Sequence, residues 1–127
     1  AACLTPEQCL MFAELAHTLD MEVLLEIHCE EELGHLNASV DMLGVNNRNL
    51  GTFHTDVENS FRLAKAMQTV TRERNLSPLL VSESGISATA TVSNLREAGF
   101  RGFLIGETFM KTDAPGSTLA QFIGGLP

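Results

Sequence analysis

Two apolar runs, each closed by a glycine, constrain this chain more than anything else in it: Pro78-Leu79-Leu80-Val81-Ser82-Glu83-Ser84-Gly85-Ile86 and Phe103-Leu104-Ile105-Gly106-Glu107-Thr108-Phe109-Met110. Neither alternates polar with apolar residues, and each runs into a helical pattern, which is how a strand covered on its faces and feeding a helix reads. At the glycines no β-carbon blocks the backbone, so the N–H groups of Gly85, Ile86, Gly106 and Glu107 can point outward together as an anion cradle. Ligands of parallel sheets collect at the carboxyl ends of the strands, and in closed sheets phosphate favours the last two loops. A phosphate-ester site is therefore expected at this end of the chain.

The same alternation runs upstream. Thr5-Pro6-Glu7-Gln8 supplies an N-cap, a proline at the first helical position and a capping-box glutamine. Cys9, Phe12, Ala13, Ala16 and Leu19 follow at helical spacing, predicting a helix to about residue 19. Residues 23–28 are β-prone, and Glu30-Glu31-Glu32 opens a short helix with Leu33 and Leu36 inward. Met42-Leu43-Gly44-Val45 is the next strand, ending in Asn46-Asn47-Arg48-Asn49 and a loop to Thr55. Thr55 or Asp56 caps a helix whose apolar stripe is Val57, Phe61, Ala64, Met67 and Val70. Leu79 to Val81 leads to a helix over residues 88–98, with Ser87 as cap, Val92 and Leu95 inward and Gly99 as stop. The last strand ends at Gly106, a short helical turn covers residues 107–111, and Ser117 caps a final helix carrying Leu119, Phe122 and Ile123.

A helix followed by four strand–helix units, without a hairpin signal or short repeat, predicts an α/β fold with a four-stranded parallel sheet. Four such units fill half of an eight-fold barrel of ~250 residues. The chain is then either an open four-stranded domain, with two unpaired strand edges to cover, or the second half of a closed barrel.

Composition narrows the ligand more than the fold. The 127 residues suit one domain, and a net charge of −8 argues against nucleic acid as a partner. An anion must therefore be gripped locally, against the overall field. No apolar run approaches the ~20 residues of a membrane helix, so no membrane partner is expected. Ala1-Ala2-Cys3-Leu4 lacks the basic start and apolar core of a signal peptide and reads as a chain entered partway. Three scattered cysteines, an odd number, suit reduced thiols in a cytoplasmic protein.

Glu26 sits among Leu24, Leu25 and Ile27, where an ionised carboxylate is costly unless paired or working. Desolvation there would raise its pKa towards the range useful for proton transfer, unless the side chain lies on the solvated side of an edge strand. Asn46, Asn47 and Arg48 follow a strand's carboxyl end, either as oriented donors for a carboxylate, hydroxyl or phosphate or as a turn that favours asparagine. Glu83 and Ser84 carry the same two readings, and Ser84 lacks the sequence context of a nucleophile. His28, Cys29 and His35 match no zinc spacing, so no metal is expected.

These segments converge on a family. Leu25-Glu26-Ile27-His28 with its acidic sequel, Leu43-Gly44-Val45-Asn46-Asn47-Arg48-Asn49-Leu50, Ser82-Glu83-Ser84-Gly85-Ile86 and the Phe103 to Met110 run resemble, in order, the last four strand segments of indole-3-glycerol-phosphate synthase. The resemblance implies that residues 1–127 are the carboxyl-terminal half of a (β/α)8 TIM-barrel synthase of tryptophan biosynthesis. That family closes the indole ring of 1-(2-carboxyphenylamino)-1-deoxyribulose 5-phosphate with loss of carbon dioxide and water, using no metal or organic cofactor. Carried over residue by residue, it makes Glu26 the carboxylate handling protons, Asn46 a polar group on the substrate and Ser84 a hydroxyl near the reacting centre. Arg48 and Glu83 would help bind substrate. Gly85, Gly106 and Glu107 would give backbone donors to its phosphate, the Glu107 side chain turning away.

Asn49 and Cys29 depart from the family's common residues at positions outside that set. The family's catalytic lysines and a further glutamate lie on strands without counterpart here, which implies negligible turnover from these residues alone. A phosphorylated small molecule is the implied ligand, and the amino-terminal half-barrel or a second copy of the chain the implied partner. Two other readings stand beside this one: a non-catalytic half-barrel that binds phosphate and dimerises, and another phosphate-binding barrel enzyme such as an aminosugar isomerase.

Overall fold

A computed structural model describes residues 1–49 and 51–127. Helix α1 (Pro6–Thr18) begins at the predicted capping box: Gln8 N donates to Thr5 Oγ1 (3.3 Å) and Thr5 N to Gln8 Oε1 (2.9 Å). Strand β1 (Leu24–Ile27) follows, then a single 3-10 segment (Glu30–His35) that buries Leu33. The order continues with β2 (Met42–Asn46), α2 (Glu58–Glu73), β3 (Leu79–Glu83), α3 (Thr89–Glu97), β4 (Gly102–Leu104), α4 (Glu107–Met110) and α5 (Pro115–Gly124).

The four strands form one parallel sheet in chain order, β1-β2-β3-β4. Register aligns Glu26 with Gly44, Gly44 with Val81 and Val81 with Gly102; one step on, Asn46 faces Glu83 and Glu83 faces Leu104. Successive side chains leave a strand on opposite faces. Leu25, Ile27, Leu43, Val45 and Leu80 thus share one face and pack with Leu63, Met67, Val92, Leu95 and Phe100 into the core. Full burial of side chains of this kind contributes ~1.5–3 kcal/mol each. The opposite face carries Glu26, Gly44, Asn46, Val81 and Glu83 and is open, with Leu79 and Leu104 43% and 50% exposed. Parallel strands in chain order with helices on one face are the arrangement of half an eight-fold β/α barrel.

Several element boundaries differ from expectation. Strand β4 stops at Leu104, short of Gly106, because its partner β3 ends at Glu83 and Ser84 then turns into the left-handed region (φ 69°). Helix α2 starts later than a cap at residue 55 or 56 implies: Asp56 Oδ1 accepts from Glu58 N (3.1 Å), and the N-cap is Val57. Its buried stripe includes Ser60 and Leu63, which the apolar pattern omitted. Ser87 and Ser117 cap nothing: α3 follows Ala88, and α5 opens on Pro115, whose fixed φ suits a first helical position. The loop expected up to Thr55 contains Leu50, which lies outside the described residues. From Gly51 it is held by Asn49 Oδ1, which accepts from Gly51 N and Thr52 N at 2.9 Å each. Among the described residues Cys3, Cys9 and Cys29 are free thiols, and no helix is long and apolar enough to cross a membrane.

Candidate active site

Beyond the carboxyl ends of β3 and β4 lies a cleft of about 580 Å³, lined by Arg48, Thr55, Ser84, Gly85, Gly106, Glu107 and Lys111 among others. At its β3 side Gly85 also has positive φ (76°), and a β-carbon there would come within 2.6 Å of Thr55 Cγ2. Only glycine meets both demands. Gly85→Ala is accordingly expected to lower stability by ~1–3 kcal/mol, read from the denaturant midpoint. Gly106 is different: a β-carbon there would meet nothing within 4 Å and would stand in open space. Thr108 Oγ1 donates to Ile86 O (2.7 Å) and braces the two turns against each other. Among the described residues the amides of Gly85, Ile86, Gly106 and Glu107 find no acceptor in the chain. They are loop donors more than helix-end donors, since α3 begins only at Thr89 and α4 has four residues. Glu107 Oε2 accepts from Arg48 Nη2 (2.9 Å), so its carboxylate is engaged by Arg48 and not simply turned away.

Next to this cleft, on the open face of the sheet, lie two carboxyls. Asn46 Nδ2 donates to Glu26 Oε1 (3.1 Å), while Asn46 Oδ1 accepts from Arg48 N (2.9 Å). Glu83 is 4% exposed and lies over Gly44, where a β-carbon would overlap its Oε1. Burial, then the charge of Glu26, then a hydrogen bond to Glu26 push the Glu83 carboxyl up to about 7. Its Oε1 has no hydrogen-bond partner in the chain among the described residues. His28 stands on the far side of Glu26, Nε2 3.4 Å from Glu26 Oε1 and Nδ1 3.5 Å from Glu32 Oε2. The desolvation expected at Glu26 is found instead at Glu83. Leu25 and Ile27 point to the helix-covered face, and the Glu26 side chain is 40% exposed.

A family model described as indole-3-glycerol phosphate synthase matches residues 1–122. The chain belongs to the indole-3-glycerol phosphate synthase family. An indole-3-glycerol phosphate synthase of Bacteroides thetaiotaomicron is 59% identical over 126 residues, covering 99% of this chain and 46% of the relative. One of Polaromonas naphthalenivorans is 43% identical over 125 residues, covering 98% of the chain and 45% of the relative. The chain therefore spans about half the length of the curated relatives it matches.

In this member of the synthase family the residues singled out from sequence fall into two adjoining groups. Glu26, Asn46 and Glu83 meet on the open sheet face; Arg48, Ser84, Gly85, Gly106 and Glu107 line the cleft. Asn47 joins neither. Its run carries two readings in sequence, oriented donors for a ligand or a turn that favours asparagine, and the structure turns the Asn47 side chain into the buried side, against Ser60 and Ser82. Sequence reasoning passed over Gly44, whose missing side chain makes room for Glu83, and Lys111, a cation at the cleft. Gly44 could have been found as a glycine inside a strand, a sign of close approach by another group.

Proposed function

We propose that this chain supplies the phosphate site and part of the catalytic set of an indole-3-glycerol-phosphate synthase, a carboxy-lyase of tryptophan biosynthesis. The observation that supports this most is one cleft flanked by four turn amides that have no partner among the described residues, beside a carboxyl pushed up to about 7. The amides of Gly85, Ile86, Gly106 and Glu107 would take the phosphate oxygens of 1-(2-carboxyphenylamino)-1-deoxyribulose 5-phosphate, with Lys111 offsetting charge. The aromatic carbon bearing the carboxylate attacks the ketone carbon, whose oxygen takes a proton. Carbon dioxide then leaves that aromatic carbon, its bonding pair returning to the ring. Last, an acid protonates the hydroxyl that departs as water while a base removes a proton from the former methylene carbon. Glu83, pushed up to about 7 by burial and by Glu26 beside it, can give or take a proton near neutrality, and Glu26 places a second carboxyl at the same point. Asn46 fixes Glu26 and presents its amide to the same space. Arg48 holds Glu107 in place, and Ser84 offers a hydroxyl at the mouth.

The partner in this reading is the other half of a barrel. Turnover by the 127-residue chain alone is expected to be negligible, since each missing acid, base or binding lysine contributes ~10²–10⁴-fold. A chimera in which the chain replaces the segment it matches in the Bacteroides thetaiotaomicron relative should form the fluorescent indole product. An isomerase would make no indole. In that chimera Gly106→Val is expected to abolish protection by inorganic phosphate against heat while leaving the unliganded melting temperature nearly unchanged, because the new side chain enters open space. Unchanged protection would move the phosphate elsewhere.

A second reading has one observation in its favour: exposed Leu79 and Leu104 on the open face, between unpaired edges of β1 and β4. They suit a half-barrel that pairs with a second copy of itself. Sedimentation at micromolar concentration distinguishes the two, a well-folded monomer counting against self-association. Free thiols suit a reducing cytoplasm in either case.

A further inference from the structure

We infer that Asn47 is a positioning residue that aims the Gly85 amide into the phosphate cleft. The inference rests on the phosphate reading above. Asn47 is 4% exposed and its side chain uses every hydrogen-bonding capacity it has. Its Oδ1 accepts from Ser60 N (3.1 Å) and Ser60 Oγ (2.9 Å); its Nδ2 donates to Ser82 Oγ (3.2 Å) and Ser84 O (3.1 Å). Ser60 Oγ and Ser82 Oγ close the ring at 2.7 Å. The backbone of Asn47 adds two bonds, donating to Glu83 O and accepting from Asp56 N, both 2.9 Å. One side chain thus joins the ends of β2 and β3 to the start of α2.

The bond to Ser84 O matters beyond stability. In a trans peptide the carbonyl and the following N–H point in opposite directions across one rigid plane. Holding Ser84 O towards the buried amide therefore fixes the Gly85 N–H on the other side, towards the cleft that Gly85 lines. Ser84 needs that hold, because it sits at φ 69°, a region that non-glycine residues occupy at a cost. Without the donor the 84–85 peptide is free to rotate, and the amide loses its aim.

The test uses the chimera described above. Asn47→Asp keeps the acceptor for Ser60 and removes the donor to Ser84 O; Asn47→Ser removes both by shortening the side chain. Either is expected to raise KM for the phosphorylated substrate by about tenfold or more, the value of one hydrogen bond to a charged group, with kcat changed much less. In amide NMR spectra inorganic phosphate should shift Gly106 but no longer Gly85. Ser60→Ala, which leaves the bond to Ser84 O in place, should lower the melting temperature with KM unchanged. If both Asn47 variants fail to fold, the unsubstituted chimera decides: phosphate should slow exchange of the Asn47 side-chain amide protons, and no slowing overturns the inference. A phosphate shift at Gly85 that persists in a folded Asn47 variant overturns the inference alone. No shift at Gly85 or Gly106 in the unsubstituted protein removes the phosphate reading and this inference with it.

Discussion

At pH 8 the 127-residue chain carrying Glu83→Gln is expected to melt at a higher temperature than the unsubstituted chain, and the chimera with the same substitution to turn over ~10²–10⁴-fold more slowly than its parent. Both effects come from one group. The carboxyl of Glu83 titrates at about 7 in the fold, against an ordinary 4.5, so the folded state holds this proton more tightly than the unfolded chain. Stability linked to that proton is complete below about 4.5, falls as pH rises through the interval to about 7, and is lost above it. A rise of this size corresponds to about 3 kcal/mol. Glutamine keeps the shape and cannot ionise, so the variant should escape the decline, and the two proteins should melt alike near pH 4.5. Melting curves at pH 4.5, 6 and 8 with turnover at pH 7 check this. A variant less stable than its parent at pH 8 would show that Glu83 is not the strained acid of the site.

Gly44→Ala is expected to cost nearly as much activity, ~10²-fold or more, without touching either carboxyl covalently. The added β-carbon would occupy the place of Glu83 Oε1 and would also press on Glu83 Cδ (3.0 Å) and Leu24 Cδ1 (3.1 Å). The flexible end of Glu83 gives way first and leaves Glu26. Once out of its buried place the carboxyl should return towards the ordinary carboxylate range, so the limb of the pH–rate profile near 7 disappears. Carboxyl carbon NMR against pH follows Glu83 directly. An unmoved titration at full activity would mean that the carboxyl does not depend on the space above Gly44.

The sequence made the strands, the helices and the two glycine turns readable because each depends on residues close together in the chain. Apolar runs bounded by Gly85, Gly99 and Gly106 carry their own punctuation. What depends on register was not readable in the same way. Leu25 and Ile27 flank Glu26 in sequence and suggested a desolvated acid, yet the strand period sends both to the opposite face from it. The desolvated carboxyl is Glu83, because it lies across the glycine of the neighbouring strand, and no local pattern in residues 79–83 reports that neighbour. Ser60 is polar and falls outside the apolar stripe expected of α2. It is fully buried because Asn47, just past the end of β2, and Ser82 in β3 complete its hydrogen bonds. The caps at Ser87 and Ser117 failed for a smaller reason: a preferred residue type near a helix start is no guarantee of the position at which the helix begins.

The order of the strands has a consequence for how the chain comes together. Among the described residues each β-strand pairs only with its neighbours in chain order, so within this sheet no segment has to wait for a distant one before finding its partner. Such a sheet can lengthen by one strand at a time as residues leave the ribosome, each newly completed unit docking on the last, with the growing edge always the segment most recently made.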